Sequence, residues 1–288
     1  MDGCRDGHCI GRKEYGQYVI DGLRTIDEKA SAYSEVDWGP GINDINARKK
    51  ENAKHIEGSP ISAKEAQKIA ANFVGMKQTD GVQVVKSKSK HFPVYSASVK
   101  KPRSNDKLSL DITTKGGHVV WMMNNRDVKD RKLSLKRGQQ SAEKFVKQHG
   151  FDSMQTVGYD DYGNEAEYTM VYQQDDVSVY PDLITVKVAL DNGEVMAFES
   201  SEYTTNHKKR EIPKPKLSEK EALKHVNPNL KVDNTSLALI ALENGEEALC
   251  YEVLGSLGKS RYRIFINADS GDEEKIEKLK NVDLESQP

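Results

Sequence analysis

No run of 18 apolar residues occurs in the 288-residue sequence, so nothing in it reads as a helix crossing a bilayer. An excess of one charge is missing too. Lys and Arg number 43 against 45 Asp and Glu, a net charge of −2, which excludes a general pull toward nucleic acid. The opening MDGCRDGHCIGRKEYGQ has no apolar core, and no targeting segment is expected in it. Three cysteines, Cys4, Cys9 and Cys250, are too few for a disulfide framework. Cys4 and Cys9 could pair with each other; with His8 they fall short of a zinc ligand set, so incidental thiols are expected and no metal site. Gly-x-Ser-x-Gly, His-Glu-x-x-His and the Walker loop are all missing. His91, His118, His149 and His225 share no helix face at a spacing of three or four, which points to surface or capping roles. With 36% hydrophobic and 31% charged residues, small separate domains are expected rather than one large core.

What is present is a repeat. ISAKEA at residues 61–66, LSLKRG at 133–138 and LSEKEA at 217–222 are three copies of one helix entrance. Ser62, Ser134 and Ser218 sit where an N-cap hydroxyl accepts a hydrogen bond from an orphan amide. Glu65 and Glu221 complete capping boxes, whereas Arg137 cannot, so the second cap is the weaker. Behind them, Ala66, Ile69, Ala70, Phe73 and Val74 follow the spacing of one helix face. Gly138, Ala142, Phe145 and Val146 occupy the same offsets, as do Ala222, Val226 and Leu230, with Pro228 expected to cut the third helix short. Gly75 and Gly150 mark where the first two helices should stop.

Alternating segments follow each helix. Tyr95, Ala97 and Val99 share a strand face, as do Tyr168, Met170 and Tyr172, and Leu249, Tyr251 and Val253. The steps from Leu108 to Gly117, Ile184 to Gly193 and Tyr262 to Gly271 are each nine residues. GGHVVW and NGEVMAF then read as a turn and a last strand. The third copy departs: Asp272, Glu273, Glu274 and Lys275 make a poor strand. Either the third repeat lacks its last strand and leaves a free edge, or EEKIEKL folds back as a helix over it.

Other stretches carry less. In YDDYGNEAEY, Asp160, Asp161, Asn164 and Glu165 offer oxygens, but not in the order of a calcium loop, so a polar turn is expected. The basic runs KSKSKH, KKPR and HKKREIPKPK read as solvated loops, the last a linker stiffened by Pro213 and Pro215. Tyr15, Val19, Leu23 and Ile26 recur at helical spacing, and a second helix is expected from Ile42 to about His55. These two are too short to bury a core alone.

A capped amphipathic helix followed by strands ending in DNGEVMAF or GGHVVW resembles the PepSY domain. Three in tandem behind DEKASAYSEVDWGPGINDINARKK resemble the C-terminal part of the YpeB family of spore germination proteins, Asp37-Trp38-Gly39-Pro40 and EEKIEKL being the most specific stretches. That family begins with a membrane anchor and a longer helical region, so a shortened form is expected here. The reading is an α+β chain of three tandem PepSY-like repeats, each a helix packed on a small antiparallel sheet. Residues 1–58 are expected as a helical N-terminal segment, with repeats at 59–131, 132–210 and 217–288 and a linker at 211–216. The resemblance implies a non-enzymatic accessory protein of the spore envelope, on the inner membrane and cortex side. It would bind and stabilise, localise or restrain a cortex-lytic enzyme of the SleB type. The alternatives are a propeptide-like inhibitor or chaperone of an envelope protease, or a peptidoglycan-binding module. No catalytic, cofactor or metal residue, no cofactor, and no nucleic-acid or membrane contact by this chain are expected.

Overall fold

All three serine entrances start helices, and their caps differ as the sequence requires. The computed structural model describes residues 51–88, 92–100, 107–242 and 244–279, which fall within one unit, Arg48–Pro288. The expected N-terminal helices, Cys4, His8, Cys9, Asp37-Trp38-Gly39-Pro40 and His91 lie outside the described residues, apart from a 3-10 turn at Ala53–His55. Helix α1 (Ala63–Phe73) opens with a full capping box: the Ser62 amide donates to Glu65 at 2.7 Å, and the Glu65 amide donates to Ser62 Oγ at 3.3 Å. Helix α2 (Leu135–Gln148) has only half of one, with the Arg137 amide donating to Ser134 Oγ at 3.3 Å. Gly75 and Gly150, at φ 75° and 84°, take the left-handed position just past these two helices. A short helix α3 (Ser201–Asn206) ends the second repeat. Helix α4 (Glu219–Ala222) regains the full box but runs on only as a 3-10 turn, Leu223–His225, ahead of Pro228.

Each repeat adds four antiparallel strands. They are β1 (Val82–Lys88), β2 (Pro93–Lys100), β3 (Lys107–Thr113) and β4 (Val119–Asn124); then β5 (Met154–Asp161), β6 (Glu165–Gln174), β7 (Val177–Ala189) and β8 (Val195–Glu199). The third repeat supplies β9 (Lys231–Ala241), β10 (Glu247–Leu257), β11 (Ser260–Asn267) and β12 (Glu273–Leu279). EEKIEKL is therefore neither a missing strand nor a helix. It pairs with β11, Arg261 opposite Leu279 and Ile264 opposite Ile276. The ladder supplied by β11 overrides helical propensity, and Lys and Glu are residues that edge strands commonly carry.

The repeats are also not separate, as their composition had suggested. All twelve strands form one branched sheet. The last strands of the first two repeats, β4 and β8, pair antiparallel, and residues 177–179 of β7 run parallel to residues 237–239 of β9. Joining β4 to β8 sets α1 and α2 side by side over one shared core. Phe73, Phe145 and Phe198 meet there with centroids 5.5–5.6 Å apart. The His149 ring closes the seam, 2.8 Å from the Phe145 carbonyl and 3.0 Å from that of Phe73. The third repeat keeps a second core under its short helix.

Gly138 shows how tightly a helix sits on the sheet. A Cβ there would meet the Tyr168 hydroxyl and lie 2.8 Å from Leu190 Cδ2, while that hydroxyl donates to the Leu135 carbonyl at 2.6 Å. Helix propensity alone would make Gly138→Ala stabilising by roughly 1 kcal/mol. Overpacking is the larger effect, so the variant is expected to lose about 1–3 kcal/mol, read as a lower urea midpoint.

Candidate functional site

The stretches with oxygen, nitrogen or sulfur ligands have local partners in the fold. YDDYGNEAEY spans the end of β5, the turn at residues 162–164 and the start of β6, and in it Asp161 accepts from the Gly163 amide at 2.8 Å and pairs with Arg131 at 2.9 Å. No group of three or more His, Cys, Asp or Glu is placed to hold a metal ion among the described residues. Burial pushes the Cys250 thiol up to about 12, so it remains protonated and unreactive. His118 lies beside the Glu57 carbonyl, and His225 packs where a side chain at Gly271 would stand.

Each joint between repeats is held by an arginine, partly buried at the first and buried at the second. At the first, Arg126, just after β4, binds Asp191 in the β7–β8 turn through two bonds of 2.8 Å, with Glu194 2.9 Å from its Nε. The arginine hydrogen bonds lead in pulling the Asp191 carboxyl far below its usual range. The second joint corrects the reading of HKKREIPKPK as a solvated loop. Arg210 is buried, with both of its terminal nitrogens 2.9 Å from Asp182, itself fully buried. Glu247 on β10 accepts from it at 2.8–3.0 Å, and His207 Nδ1 stands 2.7 Å from Asp182. The linker is thereby fastened to both repeats it connects.

The third arginine forms the floor of a cleft of about 510 Å³ between repeats 2 and 3. Residues 157–160 of β5 line one wall, and Lys275, Glu277 and Leu279 of β12 line the other, with Tyr180 and Phe265 between them. Arg263 donates to Glu252 at 2.7 Å and to Glu277 at 3.2 Å, and its remaining nitrogen caps the carbonyl of Val157. Val157 is the bulged residue of β5, skipped by the ladder to β6, so its carbonyl has turned out of the sheet. Tyr180 donates to the same Glu252 oxygen at 2.8 Å and stands edge-on to Phe265, centroids 5.0 Å apart. Burial first, then the Glu252 carboxylate, pushes the Tyr180 phenol far up. Burial works against the Arg263 charge, but Tyr180, Glu252 and Glu277 hold it protonated. Both groups stay in one protonation state near neutrality, so they supply shape and hydrogen-bond donors rather than proton transfer.

Sequence reading missed this cluster, although a signal was there. LALIA, LCYEVL and YRIFI are nearly continuous apolar runs, not the alternation of a sheet with one wet face. Both faces of the third sheet are in fact covered, so Glu252 and Arg263 needed buried partners.

Replacing Arg263 with Ala strands the Glu252 carboxylate and the Val157 carbonyl together. A loss of about 3–5 kcal/mol is expected, with faster hydrogen exchange at Gly158 and Tyr159. Lys275→Ala, on an exposed pair, should change stability by less than about 1 kcal/mol. The Arg126–Asp191 joint predicts a particular acid response. The Asp191 pKa is depressed in the fold, so its contribution is complete above the unfolded carboxylate value, about 3.9, and is lost as pH falls below it. Asp191→Asn should flatten the acid limb of stability against pH below about 4, as followed by urea titration.

A family profile described as "YpeB sporulation, PepSY1 and PepSY2 domains" matches residues 19–213, and one described as "Peptidase propeptide and YPEB domain" matches residues 216–277. The chain is similar to the sporulation protein YpeB of Halalkalibacterium halodurans, 37% identical over 265 residues that cover 92% of this chain and 59% of that protein. It is similar to the protein of the same description in Bacillus subtilis, 39% identical over 275 residues, 94% of this chain and 61% of that one. The Bacillus megaterium YpeB C-terminal domain superposes with a TM-score of 0.71 at 38% identity, covering 78% of this chain and 100% of that domain. The chain thus spans about three-fifths of the length of these curated relatives. No helix among the described residues is long and apolar enough to cross a membrane.

Proposed function

Because the chain belongs to the YpeB family of sporulation proteins, we propose that it is a non-enzymatic accessory factor that binds and stabilises a cortex-lytic enzyme of the SleB type in the spore envelope. The observation that carries this is the cleft between repeats 2 and 3. Its walls belong to different repeats, fastened by Arg210 and Arg263, so the shape is set before a partner arrives. A preorganised surface spends little binding energy on ordering itself. Beside the cleft runs β5, which among the described residues pairs only with β6. Its outer side offers main-chain donors and acceptors to an extended segment of the enzyme, and the cleft takes up that segment's side chains. Stabilisation then follows from mass action, since a partner that binds only the folded enzyme shifts it away from unfolding and proteolysis.

Mixing the purified chain with a purified SleB-type enzyme tests this by size-exclusion chromatography with light scattering and by hydrogen exchange. Co-elution at a fixed ratio, slower exchange at residues 157–160 and a higher melting temperature of the enzyme are expected. Separate elution at micromolar concentrations would count against direct binding. Co-elution without protection of β5 would count against the cleft.

A further inference from the structure

The three last strands, β4, β8 and β12, are equivalent residue by residue. Each follows its repeat's turn glycine, Gly117, Gly193 or Gly271, and each carries a bulge three residues on. The ladders skip Val120, Met196 and Glu274, pairing Trp121 with Asp111, Ala197 with Lys187 and Lys275 with Phe265. Two positions past each bulge stand Met122, Phe198 and Ile276. In the β4–β8 seam the equivalent residues Met122 and Phe198 face each other, with Trp121 opposite Glu199 and Met123 opposite Ala197. The first two repeats are thus joined about a local two-fold axis through the position that Ile276 holds in the third. Met122 and Phe198, paired in the seam and covered by α1 and α2, are 3% and 1% exposed, whereas Ile276, with neither, is 51% exposed. Among the described residues β12 pairs only with β11.

We propose that β12 is a self-association edge, pairing antiparallel with β12 of a second copy of this chain in the register that β4 and β8 already use. Ile276 then meets its mate on the two-fold axis. Lys275 lies opposite Glu277 of the other copy, and Glu277 opposite its Lys275, so both flanking positions are charge-matched. An arbitrary Lys- and Glu-bearing edge repels or mismatches in most registers. This one is complementary about the residue that the internal seam selects. A closed, isologous dimer results, since the same patch serves both copies. In each copy Lys275 already sits 2.6 Å from its own Glu277, so the two pairs merge into a four-charge cluster across the axis. The ladder is as short as that of β4 and β8, and the shortened α4 adds no second helix over it, so the dimer exchanges readily. This inference does not depend on the enzyme partner proposed above.

The test uses the full chain alone, by sedimentation equilibrium from micromolar to millimolar concentration. A reversible monomer–dimer equilibrium is expected for the unaltered protein. Ile276→Asp, at a half-exposed position, should raise the dissociation constant at least about ten-fold. Lys275→Glu and Glu277→Lys should each weaken the homodimer yet associate with one another when mixed, because each then presents the other's complement. Glu277 also touches Arg263, so Ile276→Cys supplies a second readout. Air oxidation at high concentration should give a peptide disulfide-linked between two copies at position 276, as the spacing at a paired strand axis permits. A chain that stays monomeric throughout and yields no such linkage overturns the proposal. So does a dimer indifferent to Ile276→Asp.

Discussion

The pairing of β4 with β8 determines most of the architecture of this molecule. A small sheet with one covering helix leaves two open edges and a core too thin to be stable by itself. Joining the last strands of the first two repeats removes one edge from each. It also sets α1 and α2 side by side, so that Phe73, Phe145 and Phe198 are buried in a core neither repeat could enclose alone. The third repeat attaches differently, through a three-residue parallel contact with β7, because β8 is already occupied. Only that short ladder joins the two sheets, and the cleft lies between β5 of the second repeat and β12 of the third.

Much of this was legible in the sequence, and the parts that were not have a common cause. Capping boxes, the glycine stops and the nine-residue step to each turn depend on contacts within one repeat, and they are legible down to the weak cap at Ser134. The fusion of the repeats was not readable, because a β4 that faces solvent and a β4 that pairs with β8 have the same alternation. Nor was β12 readable as a strand, since its acidic and basic residues favour a helix until β11 provides a ladder. Arg210 was lost inside a basic run, where only the position of Asp182, 28 residues earlier in the chain, distinguishes it from its neighbours. The cleft residues Glu252 and Arg263 needed knowledge that both faces of the third sheet are covered.

Family membership and geometry constrain function from different sides. Membership places the chain among sporulation proteins, and the structure adds a cleft walled by two repeats and floored by Arg263. Tyr180, Arg263 and Cys250 are each fixed in one protonation state by burial and by their neighbours. Such groups keep the shape of their surroundings unchanged across neutral pH.

Each joint uses an arginine where apolar packing would have served for stability alone. An apolar seam between similar sheets tolerates slippage, because one buried methyl group resembles another. Arg126, Arg210 and Arg263 do not tolerate it: the planar guanidinium accepts carboxylates in a fixed fork geometry. A slip at the second joint would part Glu247 from the buried Arg210 and leave that side of the guanidinium without its carboxylate, which costs several kcal/mol. In a chain built from three copies of one unit, the wrong pairings are nearly as good as the right ones by shape and hydrophobicity. Charges placed at the joints, and at no equivalent position in all three repeats, are what separate them.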